Sequence, residues 1–268
     1  MKTITVAVIS DFQNDYYHAV MKAVILKHAP KNIHIQFVDV HINHQYNITA
    51  TAWAIKNTYK YFPADTIFLA VIDPGVGTKR KPLLIKANNQ YFIGPDNGIF
   101  SAIIQESYQW KAFEIKTENI RQYQESQSNT FHGRDIFAPA TTKIIHLITK
   151  KQQPNEETIG PEITKVVTIN VMTVKVGEKG KIVYIDTFGN IVTNVIPKEN
   201  IKKYLVKISQ EKALRLNHYE NFQQAKNNET FLITGSCNTL EIVKTEQPAS
   251  KWYPDLKINT EIIISPIK

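Results

Sequence analysis

Cysteine, glycine and long apolar runs are all scarce in this sequence. Its 268 residues include one cysteine, Cys237, and 10 glycines, which excludes a disulfide-built scaffold and a collagen-like repeat. No apolar run reaches the roughly 18 residues that cross a bilayer, and the first apolar stretch ends at Asp11 without a small-residue cleavage site. We therefore expect a globular protein without membrane contact, and a single cysteine without a leader favours the reducing cytoplasm.

The positive net charge does not indicate a nucleic-acid interface. Lysine and arginine number 32 against 24 aspartates and glutamates, which gives a formal charge of +8. The lysines are spread from Lys2 to Lys268, without a basic cluster or a basic stretch interleaved with aromatic residues. Because nucleic-acid binding needs clustered positive charge, we expect these side chains to be solvated surface.

Arginine and glycine, although rare, concentrate in a few short segments. Only four of the 32 basic residues are arginine, a side chain whose rigid fork suits a carboxylate in a dry site. Glycine permits a close approach of the backbone to a ligand. The segments that hold six of the 10 glycines are VIDPGVGTKR, IGPDNGIF, FHGRD and IDTFGNIVTN. These segments are therefore the first candidates for chemistry.

Strands and helices alternate in the first half of the chain. Residues 3–9 form a β-branched apolar run, followed by a polar turn and then apolar residues at helical spacing. The pattern continues through predicted strands at 33–40, 66–72, 82–87 and 110–116 and predicted helices near 48–61, 97–106 and 134–149. This alternation predicts an α/β domain with a mostly parallel sheet, which we bound at residues 1–152.

The second half of the chain has a different pattern. Residues 153–165 are polar, contain two prolines and lack periodicity, which predicts a linker. From residue 166 onwards, short alternating or β-branched runs are separated by turn residues, with little helical pattern. We therefore predict a smaller all-β, barrel-like domain over residues 166–268.

Polar side chains follow three of the predicted strands. Asp11 comes after the first strand, His41 and Tyr46 after the second, and Asp73 after the third. Ligands of open parallel sheets bind beyond the carboxyl ends of the strands, so we expect these groups to meet in one crevice. Asp11 has two interpretations of equal weight, a helix N-cap or a carboxylate that accepts both hydroxyls of a ribose.

Two glycine-containing segments add an arginine and a histidine. In DPGVGTKR, Asp73 and Arg80 fit neither a P-loop nor a dinucleotide-binding spacing, which leaves a surface ion pair or an Asp–Arg pair fixed at the crevice. In FHGRD, Gly133 leaves space beside His132, whose imidazole exchanges a proton near neutral pH, although a structural loop histidine is the alternative. The eight histidines lack HxH or HxxxH spacing, so we expect no metal site.

The segment from Asp186 to Asn190 also permits two interpretations. A hairpin turn around Gly189 explains the local pattern completely. Alternatively, Phe188 beside the Asn190 amide would stack on a base such as adenine and hydrogen-bond to it. The local sequence favours neither interpretation.

Six segments together resemble the S-adenosyl-L-methionine hydroxide adenosyltransferase family, whose relatives include the fluorinase and the chlorinase. They follow the family's order over nearly the whole chain and are ISDF with DYY, IDPGVGTKR, GPDNGIF, TFHGRD, IDTFGNIVTN and GSCNTLEIV. The resemblance implies hydrolysis of S-adenosyl-L-methionine to adenosine and L-methionine, by attack of an activated water on the ribose 5′ carbon and without a cofactor. It also implies a homotrimer with sites between the domains of adjacent subunits.

The resemblance further implies a role for each matched residue. Asp73, Arg80 and His132 form the catalytic set, in which His132 is the general base, Arg80 favours hydroxide and Asp73 orients Arg80 or the water. The substrate-binding set comprises Asp11 and Tyr46 for the ribose, Phe188 and Asn190 for adenine, Asp15, Asp186 and Ser236 for the methionine end, and Phe131 and Gly133 beside His132.

Two other functions would use the same pocket. A halogenase would admit a halide beside the Asp73 carboxylate, and like charges in a partly dry site repel, so hydrolysis is preferred. A non-catalytic sensor would bind S-adenosyl-L-methionine or adenosine, but binding alone does not need the Asp73, Arg80 and His132 set.

Overall fold

The chain forms two compact units, Met1–Ile169 and Asn170–Lys268. The computed structural model describes residues 2–12, 15–208 and 213–267. Within those ranges, none of the helices has both the length and the apolar character needed to cross a bilayer.

A seven-stranded sheet is the centre of the first unit. In chain order its strands are β1 (Lys2–Ser10), β2 (Ile33–His41), β3 (Ile67–Val71), β4 (Pro82–Ala87), β5 (Gln90–Pro95), β6 (Trp110–Glu114) and β7 (Glu162–Ile163). Their spatial order is β2-β1-β3-β5-β4-β6-β7. The β2, β1, β3 and β5 strands pair in parallel, whereas β4, β6 and β7 add antiparallel pairs. The predicted parallel pairing therefore holds for one side of the sheet, and the sheet as a whole is mixed.

Helices cover both faces of this sheet. They are α1 (Tyr16–His28), α2 (Ile48–Thr58), α3 (Ser101–Glu106), α4 (Thr117–Ile120) and α5 (Ala138–Thr149), with a π-helical turn at Gly133–Phe137 before α5. Alternate strand residues point to opposite faces. Val8 thus joins the core that contains α1 and α5, and Ile9 joins the core that contains α2 and α3. Buried apolar residues on both faces hold the strand ends in fixed positions.

The segment predicted as a linker, 153–165, lies within the first unit. Its β7 strand pairs with β6, and the Glu114 amide donates to the Pro161 carbonyl at 3.0 Å. Ile159 is fully buried in the same core as α5. The polar composition predicted a linker; in the structure, backbone hydrogen bonds at the sheet edge and one apolar anchor attach this segment to the sheet.

The second unit is a closed β-barrel, as the sequence predicts. Its strands are β8 (Val174–Lys175), β9 (Lys179–Ile185), β10 (Ile191–Thr193), β11 (Val195–Ile196), β12 (Lys203–Lys207), β13 (Ala213–Tyr219), β14 (Thr230–Thr234), β15 (Leu240–Lys244) and β16 (Glu261–Pro266), with one short helix, α6 (Ala249–Trp252). The barrel order is β10-β15-β14-β13-β12-β16-β9, while β8 and β11 pair separately. Tyr204, Val206 and Ile242 are buried in its core.

Candidate active site

A cavity of about 320 Å³ opens at the carboxyl ends of the parallel strands. Six of the residues predicted for the site line it, namely Asp11, Tyr46, Asp73, Phe131, His132 and Gly133. Asp11 directly follows β1 and Asp73 follows β3, which are neighbours in the sheet. Parallel pairing thus brings together carboxylates that are far apart in sequence.

Asp11 is held by the backbone of the loop after β2. Its Oδ2 accepts a hydrogen bond from the Tyr46 amide at 2.7 Å. Burial raises the pKa of the Asp11 carboxyl, and this backbone hydrogen bond opposes the rise. The N-cap position of α1 belongs to Asp15, so the capping interpretation of Asp11 is wrong. Asp11 therefore presents a buried carboxylate to the cavity.

Tyr46 reaches the cavity from a left-handed backbone conformation. Its φ is 60°, a region that residues other than glycine seldom adopt. The side chain is 69% exposed. Asn47, the next residue, caps α2 by accepting a hydrogen bond from the Ala50 amide at 2.9 Å. The turn that starts α2 thus fixes the Tyr46 backbone and leaves its ring beside the cavity.

Arg80 connects Asp73 to His132. Its Nε donates to both carboxylate oxygens of Asp73 at 3.0 Å, and its Nη2 also donates to Oδ2. The same Nη2 lies 2.5 Å from Nδ1 of His132. Asp73 and His132 line the cavity, whereas the Arg80 side chain is 8% exposed and stacks on Phe137 at 5.3 Å. Arg80 is therefore a buried bridge between two cavity side chains.

The contact with Arg80 determines the proton position on His132. A guanidinium can only donate, so Nδ1 of His132 accepts, and the proton of the neutral ring is assigned to Nε2. Burial lowers the pKa of His132, and the positive charge of Arg80 lowers it further, against the opposing charges of Asp73 and Asp135. The imidazole is thus neutral at pH values where an exposed histidine begins to protonate.

Asp135 fixes the loop that leads into His132. Its carboxylate accepts hydrogen bonds from the Ser126 hydroxyl and from the amide and hydroxyl of Ser128, all at 2.8 to 2.9 Å. The Arg134 guanidinium donates to the same carboxylate at 2.7 and 3.0 Å. Burial raises the pKa of Asp135, but these hydrogen bonds outweigh it and the pKa is lowered. The sequence analysis did not identify this role.

Gly133 is required by close packing at the start of the π-helical turn. A Cβ added there would lie 2.8 Å from the Met21 sulfur and 2.9 Å from a Phe131 ring carbon. Real Cβ atoms do not approach so closely, so any side chain would displace Phe131 or α1. The glycine therefore sets the position of the two residues before it, Phe131 and His132.

The predicted adenine residues lie on one turn of the second unit. The Asp186 carboxylate accepts hydrogen bonds from the amides of Phe188 and Asn190 and from the Asn190 side chain, at 2.8 to 2.9 Å. Gly189 adopts φ of 82° in this turn, which a glycine allows. Phe188 is 77% exposed and lines one cleft together with Phe222, an aromatic residue that the sequence analysis did not select. The turn thus displays an aromatic ring and an amide together.

The residues predicted for the methionine end are spread over both units. Asp15 is an exposed residue of the first unit, and its side chain makes no capping hydrogen bond to α1. Ser236 is exposed between β14 and β15 of the second unit. Asp186 lies near Glu241, a partly buried residue whose pKa burial raises to about 7, with a further contribution from the Asp186 charge. None of these three residues lines the cavity of the first unit.

Phe12 and Tyr17 are cavity residues that the sequence analysis did not select. The signal was present, because both are aromatic and flank the predicted Asp15 within the segment that starts at Asp11. As for metals, the described part of the chain holds no group of three or more His, Cys, Asp or Glu side chains placed to bind an ion.

Comparisons with known proteins agree on one family. Sequence models of the SAM hydroxide adenosyltransferase N-terminal and C-terminal domains match residues 6–153 and 180–261. A protein of Methanocaldococcus jannaschii named (R)-S-adenosyl-L-methionine hydrolase is 31% identical over 249 residues, which cover 89% of this chain and 87% of that protein. A Thermus thermophilus protein of the same name is 31% identical over 195 residues, covering 70% and 73%.

Two solved structures superpose on nearly the whole chain. The crystal structure of an uncharacterized conserved protein from Thermotoga maritima superposes with a TM-score of 0.81 at 28% identity, covering 97% of this chain and 99% of that one. A conserved hypothetical protein from Thermus thermophilus gives a TM-score of 0.75 at 23% identity, covering 98% and 100%, and shows the fold alone.

Proposed function

Because the chain belongs to the SAM hydroxide adenosyltransferase family, we propose that it hydrolyses S-adenosyl-L-methionine to adenosine and L-methionine. The observation that carries the proposal is the cavity in which Asp11, Asp73 and His132 meet, with Arg80 bridging the last two. In this arrangement, the Asp11 carboxylate is available to bind a ribose. Asp73 and His132 are available to bind a water molecule.

The reaction needs a nucleophile more than it needs an acid. The water oxygen forms a bond to the ribose 5′ carbon while the carbon–sulfur bond breaks. The electron pair of the broken carbon–sulfur bond goes to sulfur. The sulfonium thus leaves as the neutral thioether of methionine, which needs no proton. The water must be held in line with the breaking bond, roughly 3–3.5 Å from the carbon, and must lose one proton.

Asp73 and His132 hold this water from two sides. While Arg80 occupies Nδ1, the His132 ring offers an Nε2 proton to the water oxygen, and the Asp73 carboxylate is the available acceptor for a water proton. The protonated alcohol formed on attack is a far stronger acid than a carboxylic acid, so a carboxylate is basic enough. We therefore propose Asp73 as the proton acceptor, where the sequence-based prediction has His132, and we propose that His132 positions the water.

Arg80 acts through its two partners. Its hydrogen bonds keep the Asp73 carboxylate oriented and determine which nitrogen of His132 carries the proton. The Asp73 charge also disfavours a halide at the position of the water, because two anions in a partly buried site repel. Water is therefore preferred to chloride or fluoride as the nucleophile.

The product analysis tests this function directly. The purified protein is incubated with S-adenosyl-L-methionine, with and without chloride, in water enriched in heavy oxygen, and the nucleoside is identified by chromatography and mass. Adenosine labelled at its 5′ hydroxyl is the expected product in both incubations. Unlabelled adenosine would exclude direct attack by water, and a 5′-chloro nucleoside would assign the protein to the halogenases.

Metal independence, a homotrimeric assembly and a cytoplasmic location are further parts of the proposal. The first is supported by the lack of metal-ligand spacing in the sequence, the second by the family resemblance and the third by the single cysteine. A chelator is expected to leave the rate unchanged, and light scattering is expected to give three times the chain mass of 30.7 kDa. Restoration of a chelated enzyme by a divalent ion would overturn the metal-free mechanism.

A further inference from the structure

The cavity of the first unit has the electrostatic character of a cation site. Asp11 and Asp73 contribute two carboxylates to its lining, and the described lining residues include no lysine or arginine. Arg80 lies behind the lining and offsets the charge of Asp73, so the Asp11 carboxylate leaves a negative balance. Burial and the Arg80 charge lower the pKa of His132, so its ring adds no positive charge to the cavity near pH 7. A positively charged group therefore gains from entering this space, and an anion loses.

Three aromatic rings form a contiguous cluster in the same lining. The centroids of Tyr17 and Phe131 are 4.9 Å apart, those of Phe12 and Tyr17 are 5.6 Å apart, and those of Phe12 and Phe131 are 5.9 Å apart. Tyr17 also contacts Tyr16 at 4.4 Å. Mutual contacts of this kind hold the rings in place, so that the cluster presents a fixed aromatic surface.

One member of the cluster already contacts a cation in the structure. The Arg134 guanidinium carbon lies 5.4 Å from the centroid of the Phe131 ring. An aromatic face attracts a cation within about 6 Å of its centroid, and the attraction grows when water is excluded. This contact involves Arg134, which does not line the cavity. Tyr17 and Phe12 are the other two rings of the cluster, and both line the cavity.

We propose that the Phe12, Tyr17 and Phe131 cluster recognises the positive charge on the sulfonium, with Tyr17 as the specificity-determining residue that selects a sulfonium over a neutral thioether. The inference rests on the proposed function and adds a recognition element to it. It also has a consequence for turnover. When the carbon–sulfur bond breaks, the bonding electron pair returns to sulfur and the positive charge disappears. The product methionine then lacks the attraction that held the substrate, which favours its release.

Two ligands that the enzyme cannot hydrolyse test this inference by calorimetry. One is S-adenosyl-L-homocysteine, a neutral thioether. The other is its analogue in which a carbon bearing an ammonium group replaces the sulfur. The wild-type protein is expected to bind the ammonium analogue more tightly. Tyr17→Leu is expected to reduce this preference by about 2- to 30-fold, the range of one cation–aromatic contact, while Tyr17→Phe retains it.

Two further variants make the result interpretable. Tyr108→Leu is the matched control, because Tyr108 is 99% exposed and lies outside the cavity lining, and it should leave the preference unchanged. Phe12→Leu repeats the test at a second ring of the cluster and replaces Tyr17→Leu if that variant does not fold. Its expected effect has the same direction.

The possible outcomes separate this inference from the proposed function. An equal loss of affinity for both ligands in Tyr17→Leu would show that the ring contributes only apolar contact, and the inference would be wrong. An unchanged preference in Tyr17→Leu and Phe12→Leu, with normal hydrolysis of S-adenosyl-L-methionine, would overturn the inference and leave the function standing. A wild-type protein that binds neither ligand and releases no adenosine would overturn both.

Discussion

Two histidines of the first unit are each connected to an aspartate, but only one of them lies at the cavity. His18 on α1 has its Nε2 at 2.7 Å from Asp39 of β2, and its Nδ1 at 2.8 Å from the hydroxyl of Ser10 at the end of β1. His132 is connected to Asp73 through Arg80 and lines the cavity. The first set has the residue types of a hydrolytic triad, and the second does not.

Access distinguishes the two sets. Ser10 is fully buried and His18 is 7% exposed, so a substrate has no route to the serine oxygen. Because the Asp39 carboxylate only accepts, His18 Nε2 donates to it, and in the neutral ring Nδ1 is then the acceptor for the Ser10 hydroxyl. This network connects α1 to β1 and β2. Its Ser10 directly precedes Asp11. A catalytic set is thus recognised by its position and roles, and the residue types alone are insufficient.

Asp73→Asn should give the largest effect, because it removes the proposed proton acceptor while it keeps the shape of the side chain. We expect the rate of adenosine formation to fall about 10²–10⁴-fold, as for loss of a general base. Single-turnover kinetics measure this fall, and thermal unfolding checks that the fold is intact. A rate within threefold of wild type would remove Asp73 from the proton transfer. Chloride should be added in parallel, since the neutral side chain no longer repels it.

His132→Ala and His132→Gln separate positioning of the water from base catalysis. If His132 donates a hydrogen bond from Nε2 to the water, alanine loses a neutral hydrogen bond worth roughly 0.5–1.5 kcal/mol, about 2- to 13-fold in rate. The amide nitrogen of glutamine can replace that donor, so His132→Gln should recover most of the loss. Equal inactivity of the two variants would instead restore His132 as the general base. Pre-steady-state rates at saturating substrate provide the comparison.

His18→Ala should have the opposite pattern, with stability affected and catalysis retained. Loss of the imidazole leaves the buried Ser10 hydroxyl without its partner, and an unsatisfied buried polar group costs about 1–3 kcal/mol. Urea unfolding measures this change, and the maximal rate per folded molecule should stay near wild type. The exposed His34 offers a control, since His34→Ala should change stability by less than about 0.5 kcal/mol. A large loss of rate in His18→Ala would give the buried network a catalytic role.

The smallest effect concerns pH. Burial and the Arg80 charge lower the pKa of His132 from the ordinary histidine value of 6.5. Because a lowered pKa means that protonation requires more acid, kcat/KM should stay level as the pH falls to 6.5 and decline only below it. His132→Gln has no ring to protonate and should lack this decline. An acid limb above pH 6.5 that His132→Gln abolishes would show that the pKa of His132 is raised.

The sequence was sufficient to predict where the strands end, but it was insufficient to predict the contacts of the Arg80 side chain. Apolar runs followed by Asp11 and Asp73 predicted both the parallel strands and the edge at which their carboxylates meet, because those features depend on local pattern and pairing rules. The contact between Arg80 and His132 joins residues 52 positions apart. It depends on the direction of a long side chain, which no periodicity encodes.

The mixed character of the sheet was also missed, although a local signal for it exists. Strand β5 is buried along its whole length, so it shows no alternation that marks a strand. Asn88 and Asn89, between β4 and β5, have φ of 52° and 58°. Two consecutive left-handed residues form the tight turn of a hairpin, and asparagine is among the residues that allow it. The Asn-Asn pair therefore predicts the antiparallel part of the sheet.

Tyr46 divides its contribution to the site between main chain and side chain. The amide is what holds Asp11, and its φ of 60° is set by the turn before α2. Such a conformation strains any residue with a Cβ, by an amount on the order of 1 kcal/mol, and does not strain glycine. Tyr46→Gly thus preserves the amide that holds Asp11, the proposed ribose carboxylate, and deletes only the ring beside the cavity. The position is one at which substrate preference can change in evolution without loss of the catalytic frame.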